Sequence, residues 1–70
     1  MNVNAKIGAK IKRARRLMVP EMTQDELGKR IGLSRRSIQL IESGEKRIYV
    51  DVLVQIAFEI NKPITFFFED

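Results

Sequence analysis

The sequence predicts an all-α fold of five short helices, and three observations carry that prediction. Apolar residues recur with the 3.6-residue period of a helix rather than the two-residue alternation of a half-buried strand. Glycines, prolines and capping side chains divide the chain into short segments. No two apolar runs are joined by a hairpin turn, and there are no repeats or low-complexity tracts. Seventy residues, 44% of them hydrophobic, leave room for one domain, residues 1–70. A chain of this size buries only about 60% of its unfolded surface, so a partner subunit would help it.

The first helix is expected over residues 5–18, where Ile7, Ile11, Ala14 and Met18 form a stripe at i, i+4, i+7 and i+11. Lys6, Lys10 and Arg13 fall on another face and are expected in water. Pro20 cannot continue this helix, so residues 19–22 are a connection. Thr23 is a natural N-cap, and Glu26 three residues later completes a capping box. Leu27 and Ile31 then face inward. Gly28, which costs a helix ~1 kcal/mol relative to alanine, marks a point where another backbone comes close. Gly32 ends the second helix in the left-handed conformation.

Only Leu33 separates Gly32 from Ser34, a second N-cap. The third helix follows from Arg35 to about Ser43, with Ile38 and Ile41 inward and Gly44 as its end. Residues 45–50 are a link. Asp51 helps open a fourth helix over residues 52–60, striped by Leu53, Ile56, Ala57 and Ile60. Asn61 is a left-handed cap, and Pro63 starts a last short turn through Phe68. By composition Ile64-Thr65-Phe66-Phe67-Phe68 suits a strand equally well. A lone strand would have no partner in this chain, so a fifth helix is expected.

Composition removes whole classes of function. There is no cysteine and no histidine, hence no disulfide, no zinc site of the usual ligands and no Cys–His or Ser–His catalytic pair. No metal, no cofactor and no catalysis are expected. No apolar run approaches the ~18 residues that span a bilayer. The first twelve residues mix lysines into their apolar stretch, unlike a signal peptide. A cytoplasmic protein without a membrane partner is expected.

The charge is unevenly spread. The whole chain carries +4, with a pI near 9.9. Residues 1–36 hold ten Lys/Arg and three acids, a net +7, whereas residues 37–70 hold three bases and six acids, a net −3. That asymmetry suggests a polyanionic partner for the first half; a solvated basic surface is the plain alternative.

Two short helices joined at Gly32-Leu33-Ser34 form a helix-turn-helix. The second begins with Arg35 and Arg36, followed by Ser37, Gln39 and Leu40, while Ile38 and Ile41 point back. Side chains exposed at the start of such a helix are those that enter the DNA major groove. Arginine can pair bidentately with guanine O6 and N7, glutamine with adenine or a phosphate, and leucine can meet a thymine methyl. Arg35 and Arg36 could instead be a solvated charge pair. They oppose the helix macrodipole by ~0.3–1 kcal/mol each, so local stability does not select them.

The sequence here resembles the phage repressor and Cro-type (XRE-like) helix-turn-helix family. The resemblance is carried by Ile7-Gly8 with Ile11 and Arg15, by Thr23-Gln24-Asp25-Glu26-Leu27, and by Ile31-Gly32-Leu33-Ser34. It continues through Ser37-Ile38, Ile41-Glu42-Ser43-Gly44, Leu53, Ile56-Ala57 and Ile60. It implies a compact five-helix, lambda-repressor-like domain. It further implies that Gln24 binds a phosphate, that Arg35, Arg36 and Leu40 contact bases, and that Thr23, Ser43, Lys46 and Arg47 grip the sugar–phosphate backbone. Such grips set register without reading sequence. Arg15 and Glu42 resemble a family ion pair tying the first helix to the end of the third. Thr23 and Ser34 cap their helices whether or not DNA is present, and Gln24 could simply lie on the surface.

Some features depart from the family pattern. Seven residues rather than five separate Arg15 from Thr23, so that loop should bulge and no backbone contact is carried over to it. Gly28 replaces the usual alanine, Ile48-Tyr49 a frequent Pro-Ser, and Phe66 a residue that is often polar. Ile48, Tyr49, Val50, Phe66, Phe67 and Phe68 exceed what a small core can bury, and at least one of Phe67 and Phe68 should cap it. Phe66 with Ile48 or Tyr49 is the expected isologous contact of a homodimer. Two recognition helices would then stand about one DNA turn apart, ~34 Å, over a pseudo-palindromic operator.

The sequence therefore leads to a sequence-specific regulator of transcription that binds double-stranded DNA and acts by operator occupancy, with no small-molecule ligand. Because the chain stops two residues after Phe68, no sensing domain is expected to follow, unless these residues are a piece of a longer repressor. Thr65-Phe66-Phe67 is similar to a stretch in restriction–modification controller proteins. Two rival classes stay open. One is an antitoxin-type protein-interaction module using the Phe66–Phe68 end. The other is a membrane-surface protein using the basic first helix, which lacks a wide aromatic face.

Overall fold

Capping side chains decide where three of the helices begin. In the computed structural model, which describes residues 2–69, Asn2 Oδ1 accepts from the Ala5 amide at 3.2 Å and opens α1, Val3–Arg16. Thr23 opens α2, Gln24–Ile31, through the full capping box: its hydroxyl accepts from Glu26 N at 3.0 Å, and its own amide donates to Glu26 Oε1 at 3.1 Å. Ser34 accepts from Ser37 N at 3.0 Å and opens α3, Arg35–Ser43. The fourth helix, α4, Val50–Glu59, starts without a side-chain cap, directly after the extended Tyr49. Gly32 and Gly44 close α2 and α3 at φ 77° and 83°, and Asn61 takes the expected positive φ of 59°.

Three boundaries differ from expectation. Because Asn2 is a cap, α1 begins at Val3, and Met18 N turns to Arg15 O, a tightened i−3 bond beyond the helix end. Helix α4 starts at Val50 rather than residue 52, placing Asp51 within its first turn. The last element, Ile64–Phe68, is a 3₁₀ helix rather than a fifth α-helix. It is one short run after Pro63, with Phe66 N bonded to Pro63 O at 2.9 Å. Adjacent β-branched and aromatic residues do not favour extending it as α. The described chain thus holds four α-helices and no strand.

The stripes read from periodicity converge on one core. Ile11, Leu27, Ile38, Ile56 and Phe67 are buried at its centre, joined by Ile7, Ala14, Ile41, Leu53, Ala57 and Ile60. Helix α3 packs on both α1 and α2, α4 packs on α2, and the 3₁₀ helix closes over α1 and α4. Phe67 is the aromatic that seals the bottom; Phe68 stays exposed. Two glycines permit the approaches. A Cβ on Gly8 would lie 2.3 Å from the Ile41 carbonyl oxygen, and one on Gly28 would lie 2.4 Å from the Leu33 carbonyl oxygen. Gly28 is therefore the close-approach point its cost suggested. Gly8 does the same between α1 and α3.

Lys10 corrects the expectation of a solvated side chain. It is half-buried, and its ammonium donates to the Phe66 carbonyl at 2.9 Å and to the Glu69 carbonyl. A 3₁₀ helix leaves carbonyls without internal donors at its end, and Lys10 satisfies them from α1. Arg30 and Glu59, 3.3 Å apart, join α2 to α4 near the surface.

Candidate nucleic-acid interface

The inward isoleucines of α3 determine which of its side chains face out. With Ile38 and Ile41 buried, Arg35, Arg36 and Gln39 are exposed, and Ser37 and Leu40 are half-buried at the edge. Of the five positions expected to read bases, Arg35, Arg36 and Gln39 thus stand clear of the core, whereas Ser37, one turn before Ile41, and Leu40 are only partly exposed. Arg36 Nη1 donates to Gln39 Oε1 at 3.2 Å, one helical turn on. Ser34, the cap, shares its hydroxyl with Ser37 Oγ at 3.2 Å, and Lys46 Nζ donates to that same Ser37 oxygen at 3.2 Å. Lys46 therefore lies against α3 itself. Arg47 beside it is exposed. The positive charge of this face is unopposed at close range: neither Arg35 nor Arg36 has an acidic partner among the described residues.

The start of α2 lies next to a buried charged centre. Arg15 donates through Nε to Glu42 Oε2 at 2.8 Å and through Nη2 to Glu42 Oε1 at 3.0 Å, and its Nη1 donates to the Met22 carbonyl at 2.8 Å. Arg15 and Glu42 are only 5% and 6% exposed, so this is a buried, bidentate ion pair of the geometry that best offsets desolvation. Gln24 is half-buried, and its Nε2 donates to Glu42 Oε1 at 3.0 Å. No buried side-chain nitrogen or oxygen among the described residues lacks a partner. Helical spacing cannot reveal the Gln24–Glu42 bond, because it joins residues eighteen apart.

Thr23 is exposed, and its hydroxyl oxygen is engaged in the capping box. The backbone amide of Thr23, and then its hydroxyl, hold the Glu26 carboxyl below its ordinary pKa of 4.5. Ser43 differs from the other expected grips. Its hydroxyl donates to the Leu40 carbonyl at 3.0 Å and to Glu45 Oε2 at 2.7 Å, so a carboxylate stands beside it where a phosphate would have to come.

The residues expected at a dimer contact are unequal in exposure. Tyr49 is exposed. Ile48 and Phe66 are half-buried and pack against the core. Phe66 meets Phe67 edge-on at 5.4 Å and has the Lys10 and Lys62 ammonium groups 5.3 and 5.2 Å from its ring centre. A second apolar stripe went unread in the sequence. Val50, Val54 and Phe58, at i, i+4 and i+8 on α4, are 76%, 51% and 80% exposed. Their spacing is the signal that reveals them, once Leu53, Ile56 and Ala57 are assigned to the core. Among the described residues no helix is long and apolar enough to cross a membrane, and no three metal-binding side chains cluster.

Comparison with known proteins agrees with this geometry. The sequence profile of the helix-turn-helix family matches residues 11–67. Over 68 residues, 97% of the chain, the sequence is 37% identical to an uncharacterized HTH-type transcriptional regulator of Sinorhizobium medicae (strain WSM419) and to one of Rhizobium meliloti (strain 1021). It is 35% identical over 69 residues, 99% of the chain, to an uncharacterized transcriptional regulator in the ATPase CF(0) region of Rhodospirillum rubrum. The chain spans 48% of the length of the first two relatives and 62% of the third.

Proposed function

The chain belongs to the helix-turn-helix family, and from that premise we propose that it is a sequence-specific, double-stranded DNA-binding transcriptional regulator. It acts by occupying its operator as a homodimer, in the cytoplasm, as one domain that catalyses nothing. One observation carries this reading. Arg35 and Arg36 stand exposed and without acidic partners at the N-terminal end of α3, where the helix dipole disfavours them. Charges so exposed and unpaired suit a polyanion outside the chain. Arg35, Arg36, Ser37, Gln39 and Leu40 read base edges; Thr23, Gln24, Lys46 and Arg47 hold the backbone, with Ser43 joining them if Glu45 swings away.

The homodimer reading is supported by apolar surface that the chain leaves uncovered: Tyr49, Val50 and Phe68 are each more than 60% exposed, within two residues of Ile48 or Phe66. A protomer measures 30 × 22 × 19 Å, so two copies side by side can present their α3 helices ~34 Å apart, one DNA turn. The same exposed apolar residues favour a second reading, an antitoxin-type protein-interaction module. It predicts stoichiometric co-purification of an unrelated protein.

Selection of duplexes from a random pool tests the proposal. The chain should enrich a pseudo-palindrome. Arg35→Ala and Arg36→Ala should relax its sequence preference, whereas Lys46→Ala should weaken all duplexes alike and flatten the salt dependence. Uniform loss in all three variants would contradict the division between reading and gripping. No enrichment would contradict DNA recognition itself.

A further inference from the structure

We infer that the outer face of α4 is where two copies of this chain meet, in an antiparallel two-fold contact that packs each Phe58 on the partner's Val54. This inference rests on the homodimer of the reading above, and it moves the contact from Phe66 to α4. Helix α4 turns Leu53, Ile56 and Ala57 into the core, yet the side it leaves to solvent carries Val50, Val54 and Phe58. At i, i+4 and i+8 these stand one above the other along ~12 Å of helix. Single exposed apolar residues are ordinary, whereas an unbroken row of them marks a surface that something covers.

The face is hollow as well as apolar. Arg30 and Ile31, at the end of α2, stand beside Val54, Gln55, Phe58 and Glu59 around an open groove of about 450 Å³. Phe58 is thus both the largest exposed ring of α4 and one wall of a groove. A knob beside its own hole is what an isologous contact needs, because the two-fold axis supplies the same knob to both sides. Phe66 is placed differently: its own chain half-buries the ring against the core and sets the Lys10 and Lys62 ammonium groups around it.

Charge selects a second copy as the occupant. Asp51, in the first turn of α4, and Lys62, just past its end, are both exposed, and neither has an ion-pair partner among the described residues. Glu59, the other acid of α4, is already held by Arg30 at 3.3 Å. Each sign suits the dipole of α4 itself, but together they also make the face self-complementary. An antiparallel pair with its axis between Val54 and Phe58 carries Asp51 to the partner's Lys62. Val50 then lies along the aliphatic stem of that lysine. A parallel pair would set like charges together. One axis therefore serves the ring, the groove and both charges.

Sedimentation of the free chain over a concentration series tests this without DNA. The wild-type chain should be a reversible dimer. Phe58→Gln replaces an exposed ring by a good helix former, so circular dichroism should show the fold intact. It should nevertheless weaken the dimer roughly thirtyfold, as loss of a central aromatic anchor does. D51K and K62E should each weaken it several-fold, since by symmetry each turns two attractions into two repulsions. An equimolar mixture of those two variants should recover wild-type association, because the mixed pair has opposite charges at both ends.

Wild-type association in Phe58→Gln, or a mixture no tighter than its separate components, would overturn the inference. Loss of the dimer in Tyr49→Ser but not in Phe58→Gln would do so too, and would leave the homodimer standing around Phe66. A wild-type chain that stays monomeric would overturn both this contact and the homodimer, leaving the stripe to a protein of another kind.

Discussion

Helices α2 and α3 are neighbours of eight and nine residues whose charges run in opposite directions. Helix α2 places Asp25 and Glu26 in its first turn and Lys29 and Arg30 in its last, each on the side its macrodipole favours. Lys29 also pairs with Asp25 at 3.1 Å, four residues back. Helix α3 has Arg35 and Arg36 at its start, no acid in its first turn, no base in its last, and Glu42 near its end. The first helix stabilises itself. The second carries charges that its own turns do not pair. Glu42 is paired by Arg15 of α1, and the two exposed arginines have no acidic partner among the described residues.

The contrast is most easily broken at Glu42. Replacing it alone by leucine, or Arg15 alone by alanine, should cost ~3–5 kcal/mol of stability, because one charge is left buried and unpaired. The double replacement R15M/E42L should restore most of that loss. Urea unfolding measures all three, and a double variant as unstable as the singles would mean that the pair is needed for packing rather than for charge.

At the other end of α3 the effects should have opposite signs. Arg35→Ala and Arg36→Ala should each lose ~1–3 kcal/mol of operator affinity while leaving stability unchanged or higher by ~0.3–1 kcal/mol. Titration calorimetry and thermal melting on the same samples check the pair of signs. A destabilised variant would show that these arginines brace the fold. In α2 the corresponding change is plainly structural. Thr23→Ala should cost ~0.5–2 kcal/mol through the lost cap, without altering which sequences are preferred.

The smallest expected effect concerns pH. The Glu26 carboxyl is held below 4.5 by the Thr23 amide and hydroxyl. A lowered carboxyl pKa in the folded state means that its contribution is present above the unfolded value. That contribution is lost as pH falls through the lowered one. Wild-type melting temperature should therefore drop on acidification below 4.5 by more than that of Glu26→Gln, which has no proton to take up there. Parallel curves would remove the box from the stability of α2.

The difference between the two helices also explains what was legible in the sequence. Local chemistry could be read directly: the Thr23–Glu26 box, Ser34, Gly32, Gly44 and Asn61 act within a few residues of themselves, and each does in the structure what its type and position imply. So do the core stripe of α4 and, in α1, Ile7, Ile11 and Ala14, which depend only on period; Met18, read as the end of that stripe, lies past the helix and is half-buried. Less legible was whatever joins distant segments. Lys10 lies on the polar face of α1, and only the fold brings the Phe66 and Glu69 carbonyls to it. Gly8 looks ordinary until α3 crosses it. The Arg15–Glu42 pair was accessible through family resemblance alone, and its bond to Gln24 through neither route. The start of α4 differs from expectation because Val50 and Val52 are poor helix signals and no cap marks Tyr49. The five-residue tail is 3₁₀ because its residues favour neither a long helix nor, without a partner, a strand.

The most direct test is a titration of the isotope-labelled chain with its selected duplex at modest ionic strength, following backbone and side-chain amide signals. The largest shifts should fall on residues 34–40, on Thr23 and Gln24, and on Lys46 and Arg47, with the Val50, Val54 and Phe58 stripe of α4 untouched by DNA. Unmoved signals along α3, or a footprint centred on α4, would contradict the account.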